Sequence, residues 1–311
     1  MKITILVPLY NEEKNIGMLV EALDAAIKPL SDYQWEYLFI NDGSRDNTLA
    51  LLEQLYANRS DVSYVDLSRN FGKENAMLAG FDHAQGEAVI VMDADLQDPP
   101  QIIGQMVEKW REGYDDVYAR RKDRGQESWL RKKLSLAFYR ILQGSTNIDV
   151  LPNVGDFRLL DRKCIQALRQ LRESGRYTKG LFTFIGFRKT AVEFDRGSRT
   201  QGHSSFNFWK LFKLAIEGIT SYTTAPLRLA TIMGVLLSIF SFAYMTYVLL
   251  KALFYGDPGA GYPTMMTVIL FLGGVQLLTI GIIGEYLGRI FNEVKNRPVY
   301  FEREYKTHNK D

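Results

Sequence analysis

The sequence predicts an α/β domain with a mostly parallel sheet, followed by two membrane-spanning helices near the C-terminus. Three observations carry that expectation. Up to Ala119, short apolar runs alternate with stretches of helical period, the pattern of βαβ units. Leu229–Leu250 and Thr264–Gly284, 22 and 21 residues long, contain no charge, and a membrane-spanning helix needs about 20 apolar residues. The composition is globular, 46% hydrophobic and 24% charged over 311 residues, which excludes a disordered or fibrous chain.

The elements follow in order. Ile3–Val7 is an apolar run ended by Pro8, and Asn15–Ala26 places Ile16, Leu19, Val20 and Leu23 on one helical face. Trp35–Ile40 is a second strand, ended by Asn41-Asp42-Gly43. Thr48–Tyr56 follows as a helix with Leu49, Leu52 and Leu55 aligned, behind cap-type Asp46 and Asn47. Val62–Leu67 and Ala88–Met92 are further strands, the latter ended by Asp93; a helix is expected from Pro100, then a weaker strand at Asp116–Ala119. Ser205–Tyr222 mixes aromatic and basic residues, as an interfacial amphipathic helix or a buried domain helix would. The expected organisation is a cytoplasmic domain at 1–204, an interfacial region at 205–227, two spans within 228–290 (about 229–253 and 264–288) and a cytoplasmic tail at 291–311.

Charge and motif content narrow the function. A net charge of +2 gives no case for nucleic acid. The single cysteine, Cys164, excludes an internal disulfide framework and a multi-cysteine zinc site. The chain has no G-x-G-x-x-G after the first strand, no phosphate-binding G-x-x-x-x-G-K-[ST] loop and no H-E-x-x-H. The opening MKITILVPLYNEE does not read as a signal peptide. Arg228 precedes the first span and Arg289, Lys295 and Arg297 follow the second, whereas the loop Phe254–Pro263 has only Lys251 at its margin. The positive-inside rule then puts both termini in the cytoplasm and the protein in the inner, cytoplasmic membrane as a multi-pass chain.

In parallel sheets ligands bind beyond the carboxyl ends of the strands. The residues there are Tyr10-Asn11-Glu12, Asn41-Asp42-Gly43, Arg69-Asn70 and Asp93-Ala94-Asp95. If the chain stays extended after the fourth strand, Asp93 and Asp95 face the same side. Two carboxylates and the Gln97 amide oxygen suit a hard divalent cation, Mg²⁺ or Mn²⁺, completed by water and substrate phosphates. Taken alone, Asp93-Ala94-Asp95 serves equally well as a solvated acidic turn; Asp42 at a neighbouring strand end favours the metal.

These stretches carry a resemblance. Leu6-Val7-Pro8-Leu9-Tyr10-Asn11-Glu12, Asn41 through Thr48 and Asp93 through Pro99 resemble family 2 glycosyltransferases with an A-type nucleotide-sugar fold. Asn70-Phe71-Gly72-Lys73-Glu74, Asn153 through Leu159 and Glu217 through Ser221 sharpen it toward the polyprenyl-phosphate glycosyltransferases, relatives of dolichol-phosphate mannose synthase, and most of all the bactoprenol glucosyl transferases. The resemblance implies inverting transfer of a hexose, glucose first, from a UDP-sugar to undecaprenyl phosphate. It implies that Pro8, Tyr10, Asn11 and Glu12 line the base pocket, with Asp42 on the uracil ring and Lys73 and Asp93 on the base and ribose side. Asp95 and Gln97, with Asp93, would hold the metal at the donor diphosphate. Asp156 matches the family's proposed base, with two other readings open: an acceptor-orienting or sugar-binding carboxylate, or an ion pair with Arg158 in a turn. The family's second motif often reads Asp-Asp-Gly-Ser; here Asn41 stands first and Asp42 keeps the matching carboxylate.

Between positions 120 and 140, eight basic residues stand against two acids. Arg120, Arg121, Arg131 and Lys132, with Arg199, Ser204 and Lys210 from a second patch, are candidate ligands of a lipid phosphate or the bilayer surface. The donor could instead be UDP-N-acetylglucosamine or GDP-mannose, and a homo-oligomer is left open. A processive synthase of the same fold would need Gln-x-x-Arg-Trp and more spans, which are lacking. A non-catalytic accessory protein for lipid-linked sugar export would not need Asp93, Asp95 and Gln97 together.

Overall fold

The computed structural model describes residues 1–122, 154–176, 178–194, 225–255 and 261–308. They fall into two compact units. One holds the N-terminal residues and the stretch from Arg297 onward; the other holds the two long apolar helices.

The first unit is an eight-stranded sheet. Its strands are β1 (Lys2–Leu9), β2 (Gln34–Asn41), β3 (Val62–Leu67), β4 (Ala88–Val91), β5 (Asp116–Arg121), β6 (Val154–Asp161), β7 (Lys189–Phe194) and β8 (Glu302–Lys306), in the order β7-β5-β6-β4-β1-β2-β3-β8. The centre β4-β1-β2-β3 is parallel, as the alternating pattern predicts. The flanks differ: β6 runs antiparallel to both β4 and β5, β8 antiparallel to β3, and β7 parallel to β5. The sheet is therefore mixed.

Strand alternation splits the core into two layers. Ile3, Ile5, Val7 and Leu9 of β1 face one side with Tyr37 and Phe39 of β2. There they meet helices α1 (Ile16–Ile27), α2 (Thr48–Asn58) and α4 (Ile103–Arg111, entered through a 3₁₀ turn at Pro100–Ile102). Leu6, Leu38 and Ile40 face the other side with α3 (Lys73–His83), α5 (Arg162–Gln170) and α6 (Thr178–Phe184). Helix α3 lies close on β1: a Cβ at Gly80 would come within 2.1 Å of Leu6 Cδ1, so glycine here sets the helix-to-sheet distance.

The last 21 residues do not form a tail alone. Strand β8 covers the outer edge of β3, where unpaired backbone groups would otherwise be open to other chains. Arg303 and Glu302 of the strand fasten it, Arg303 pairing with Asp66 at 3.0 Å and Glu302 lying 2.9 Å from His83 Nε2, and just before the strand Tyr300 donates to Asp82 at 2.8 Å.

The second unit contains α7 (Ala225–Tyr255) and α8 (Tyr262–Val294). Within them Ala230–Val248 and Phe271–Val294 are long and apolar enough to cross a membrane, and neither stretch is buried. Large apolar side chains such as Phe240, Phe242 and Leu277 stand exposed on these helices. Helix α8 runs past the expected end of the second span, and Glu285 pairs with Arg289 one turn on at 3.1 Å.

Candidate active site

The parallel centre brings the carboxyl ends of β1 to β4 to one edge. Strand β6 runs the other way, so its first residues reach that same edge. Val91 pairs with Arg158, and the register therefore brings Asp156 level with Asp93.

Lys73, the first residue of α3, sits between these two carboxylates. Its Nζ lies 2.5 Å from Asp93 Oδ1 and 2.5 Å from Asp156 Oδ2. Asp156 is 8% exposed, and its Oδ1 is buried with no protein partner. Burial raises the Asp156 pKa, but the charges of Lys73, Lys179 and Arg158 outweigh it and hold the group below the usual carboxylate range. Asp93 shifts upward instead, because desolvation, reinforced by Asp156 and Asp95, exceeds the pull of Lys73. Burial works against the Lys73 ammonium, yet Asp156 and Asp93 keep its pKa above the ordinary lysine value.

The loops after β1 and β2 are stitched together. Asn11 N donates to Ser44 Oγ (2.9 Å), Arg45 N to Asn11 Oδ1 (2.8 Å) and Glu12 N to Thr48 Oγ1 (2.9 Å). Asn11 adopts φ 56°, a left-handed conformation that asparagine tolerates. Asp42 is buried, and its oxygens accept from Phe71 N (2.6 Å) and Gly72 N (2.9 Å). It thus clamps the loop after β3 and keeps only its remaining lone pairs for a ligand. Gly43, at φ 63°, lets that loop pass: a Cβ there would fall 2.3 Å from the Arg69 carbonyl carbon.

The acidic stretch differs from the extended path expected of it. The chain turns at Ala94–Asp95, and Leu96 adopts φ 53°. Asp93 is drawn to Lys73, while Asp95 is exposed and accepts from Gln97 N at 3.1 Å. The strand-alternation argument for Asp93 and Asp95 therefore does not apply. Among the described residues, no three acidic, histidine or cysteine side chains gather as a complete metal cage. What remains fits a hard cation taken largely through substrate: an open carboxylate at Asp95 in a negative field. That field is visible at Glu12, whose pKa rises through burial and through the charges of Asp95, Asp46 and Asp93.

Two comparisons bear on identity. The family described as "Glycosyl transferase family 2" matches residues 4–169, and that described as "GtrB C-terminal hairpin" matches residues 225–290. The chain belongs to glycosyltransferase family 2. It is a glycosyltransferase, with the A-type fold and two apolar C-terminal helices that the resemblance implies. It is similar to an uncharacterized glycosyltransferase of Synechocystis, 47% identical over 300 residues, covering 96% of this chain and 94% of the relative. The SfII prophage-derived bactoprenol glucosyl transferase of Shigella flexneri is 43% identical over 300 residues, covering 96% and 97%. The bactoprenol glucosyl transferase of Shigella phage SfV is 42% identical over 306 residues, covering 98% and 99%.

The transferase brings Lys73, Asp93 and Asp156 together and leaves Glu12 and Asp95 within electrostatic reach. Tyr10 is exposed and Pro8 half-buried at the same edge. The pairing of Asp156 with Arg158 does not form. Arg158 is buried against Asp116 at 3.0 Å, with Phe182 stacked 3.6 Å from its guanidinium carbon. Arg120 and Arg121 are described, and both are paired: Arg120 with Glu193, Arg121 with Asp98 at 3.0 Å. Arg131, Lys132, Arg199, Ser204 and Lys210 lie outside the described residues, as does Ser205–Tyr222. Two residues of the site went unread in the sequence. Lys179 contributes charge to Asp156, and Thr178 N donates to Glu74 Oε2 at 2.8 Å, tying α6 to α3. Neither sits in a recognisable motif; only the fold brings residues so far apart in sequence together.

Proposed function

We propose that this glycosyltransferase moves glucose from UDP-glucose to undecaprenyl phosphate at the cytoplasmic face of the inner membrane, with inversion at the anomeric carbon. The observation that carries the reading is the half-satisfied Asp156. It is a buried, ionised carboxylate with one oxygen held by Lys73 and the other unpartnered, level with Asp93 at the ligand-binding edge. The chain also shares nearly its full length, apolar hairpin included, with proteins named bactoprenol glucosyl transferases. UDP-N-acetylglucosamine is the second donor to test.

The residues divide the work. The β1–α1 and β2–α2 loops, with Asp42, receive the uridine. Asp93 stands on the ribose side, fixed by Lys73. Asp95, helped by Gln97, is the group to hold Mg²⁺ or Mn²⁺, which when bound neutralises charge on the leaving diphosphate. Asp156 offers its open Oδ1 to a hydroxyl of the sugar or to the acceptor. Its depressed pKa makes it a weak base, and none is needed: a phosphate monoester has a second pKa of about 6 and is largely ionised at neutral pH. The acid limb of the pH–rate profile is therefore expected to follow the acceptor. Replacing the lipid phosphate by its phosphonate analogue should move the limb with the analogue's second pKa. A limb that stays put would return the base role to a protein group.

Topology has its own support. Strand β8 belongs to the same sheet as β1, which supports an even number of crossings between them. With the Lys and Arg asymmetry, a reporter after Asp311 is expected in the cytoplasm and one at Gly259 outside. A cytoplasmic signal at Gly259 would overturn the two-span arrangement.

A further inference from the structure

Strand β8 does more than cover an edge. Asp66 pairs in register with Glu304 and Leu67 with Glu302, so Arg303 is the extra residue of a β-bulge. Bulges re-aim the side chain they carry. Here the guanidinium turns onto β3: Nη1 donates to Asp66 Oδ2 at 3.0 Å and Nη2 to Ser68 O at 3.1 Å. Asp66 is 2% exposed, and its other oxygen accepts from Asn41 Nδ2 at 2.7 Å. Asn41 is the last residue of β2, and its Oδ1 accepts from Ser44 N at 3.2 Å. Ser44 Oγ in turn receives Asn11 N. An unbroken path of hydrogen bonds thus runs from the segment that follows the apolar helices to the paired loops after β1 and β2. The same segment supports the loop after β3, since Ser68 N donates to Phe301 O at 2.9 Å and the ring of Phe301 meets Phe71, whose amide holds Asp42.

We propose that Arg303, Asp66 and Asn41 form a positioning relay through which the C-terminal strand sets the geometry of the nucleotide-binding loops. The proposal rests on the reading of those loops as the donor site. The chemistry at each link is specific. Asp66 is a buried carboxylate that needs a donor on each oxygen. Asn41 can donate to Asp66 and accept from Ser44 at once, which an aspartate cannot do beside a second carboxylate. Arg303 supplies the compensating charge from the far side, and its own side chain is exposed, so its replacement opens no cavity in the sheet, while Asp66 loses its cation.

The test uses the full-length protein in detergent or nanodiscs, with two readouts. One is hydrogen exchange of the 42–46 amides, and the other is the UDP-glucose KM against kcat. Arg303→Met is expected to speed exchange at 42–46 and to raise the donor KM, each by roughly 5- to 10-fold, the scale of one charge-assisted hydrogen bond felt at a distance, with kcat within about twofold. Asn41→Asp is expected to do more, and the exchanged pair Asn41→Asp with Asp66→Asn to recover most of the loss. A role in stability alone would shrink the folded fraction, lowering apparent kcat and leaving KM unchanged. Wild-type KM and wild-type exchange in Arg303→Met, or no recovery in the exchanged pair, would overturn the relay. Should the wild-type protein turn over no UDP-sugar, the proposed function fails, and exchange at 42–46 still decides the relay.

Discussion

Lys73→Met is expected to lose transfer almost completely, by a factor on the order of 10³, while the protein still inserts in the membrane. Methionine keeps the length of the lysine stem and removes its charge. Asp93 and Asp156, now 2.5 Å from that ammonium, would face each other with nothing between them. Removing one partner of a buried pair costs about 3–5 kcal/mol; the lower end applies here, because the side chains of Lys73 and Asp93 are both more than a third exposed and so partly screened. The sign with pH is fixed. In the native protein the depressed pKa of Asp156 gives stability that is present above the unfolded carboxylate value and lost as pH falls through the folded one. Without Lys73 the pair must share a proton, so the stability deficit against wild type should shrink as pH falls toward the carboxylate range. Thermal unfolding of both proteins from neutral to mildly acidic pH checks this. A deficit that grows on acidification would mean that Lys73 does not hold two ionised acids.

Asp95→Ala should show the opposite balance, with transfer lost by about 10²- to 10³-fold and stability nearly unchanged. Asp95 is exposed and accepts from Gln97 N, so its removal opens no cavity and leaves no buried charge. What disappears is the open carboxylate of the negative field around Glu12 and Asp93. EDTA should reproduce the loss in the native protein, and Mg²⁺ or Mn²⁺ should restore it there but not in the variant. Activity in EDTA equal to that with metal would remove the cation from the account.

Much of this was legible in the sequence because the central strands are buried on both faces. Ile3–Val7, Trp35–Ile40, Val62–Leu67 and Ala88–Met92 each form an apolar run ended by a turn-forming or acidic residue, and each is a parallel strand within a residue or two at either end. Other elements hid for physical reasons. Helix α3 shows no amphipathic stripe because Ala76 through Phe81 are all buried, packed between the sheet and its neighbours. Strand β6 reads as a polar motif, since Asp156 and Arg158 are both buried in it and their charges are met by partners distant in sequence, Lys73 and Asp116. Strand β8, Glu302–Lys306, is largely charged and has no apolar run; it becomes a strand only because the edge of β3 needs cover and Asp66 needs a cation. At the site, the residue types at the strand ends were readable, but their contacts were not. Lys73 reads as a nucleotide ligand in the motif, whereas its position between two carboxylates depends on a register set by β4 and β6.

The central claim is a reaction, and one measurement reaches it most directly. Purified full-length protein is incubated with undecaprenyl phosphate, Mg²⁺ and a panel of UDP-glucose, UDP-N-acetylglucosamine and GDP-mannose, and the lipid fraction is analysed by mass spectrometry and anomeric NMR. The expected result is undecaprenyl phosphate carrying one glucose in β-linkage, formed from UDP-glucose and absent with Asp156→Asn. A protein that binds and folds normally yet yields no lipid-linked sugar from any of the three donors would contradict it.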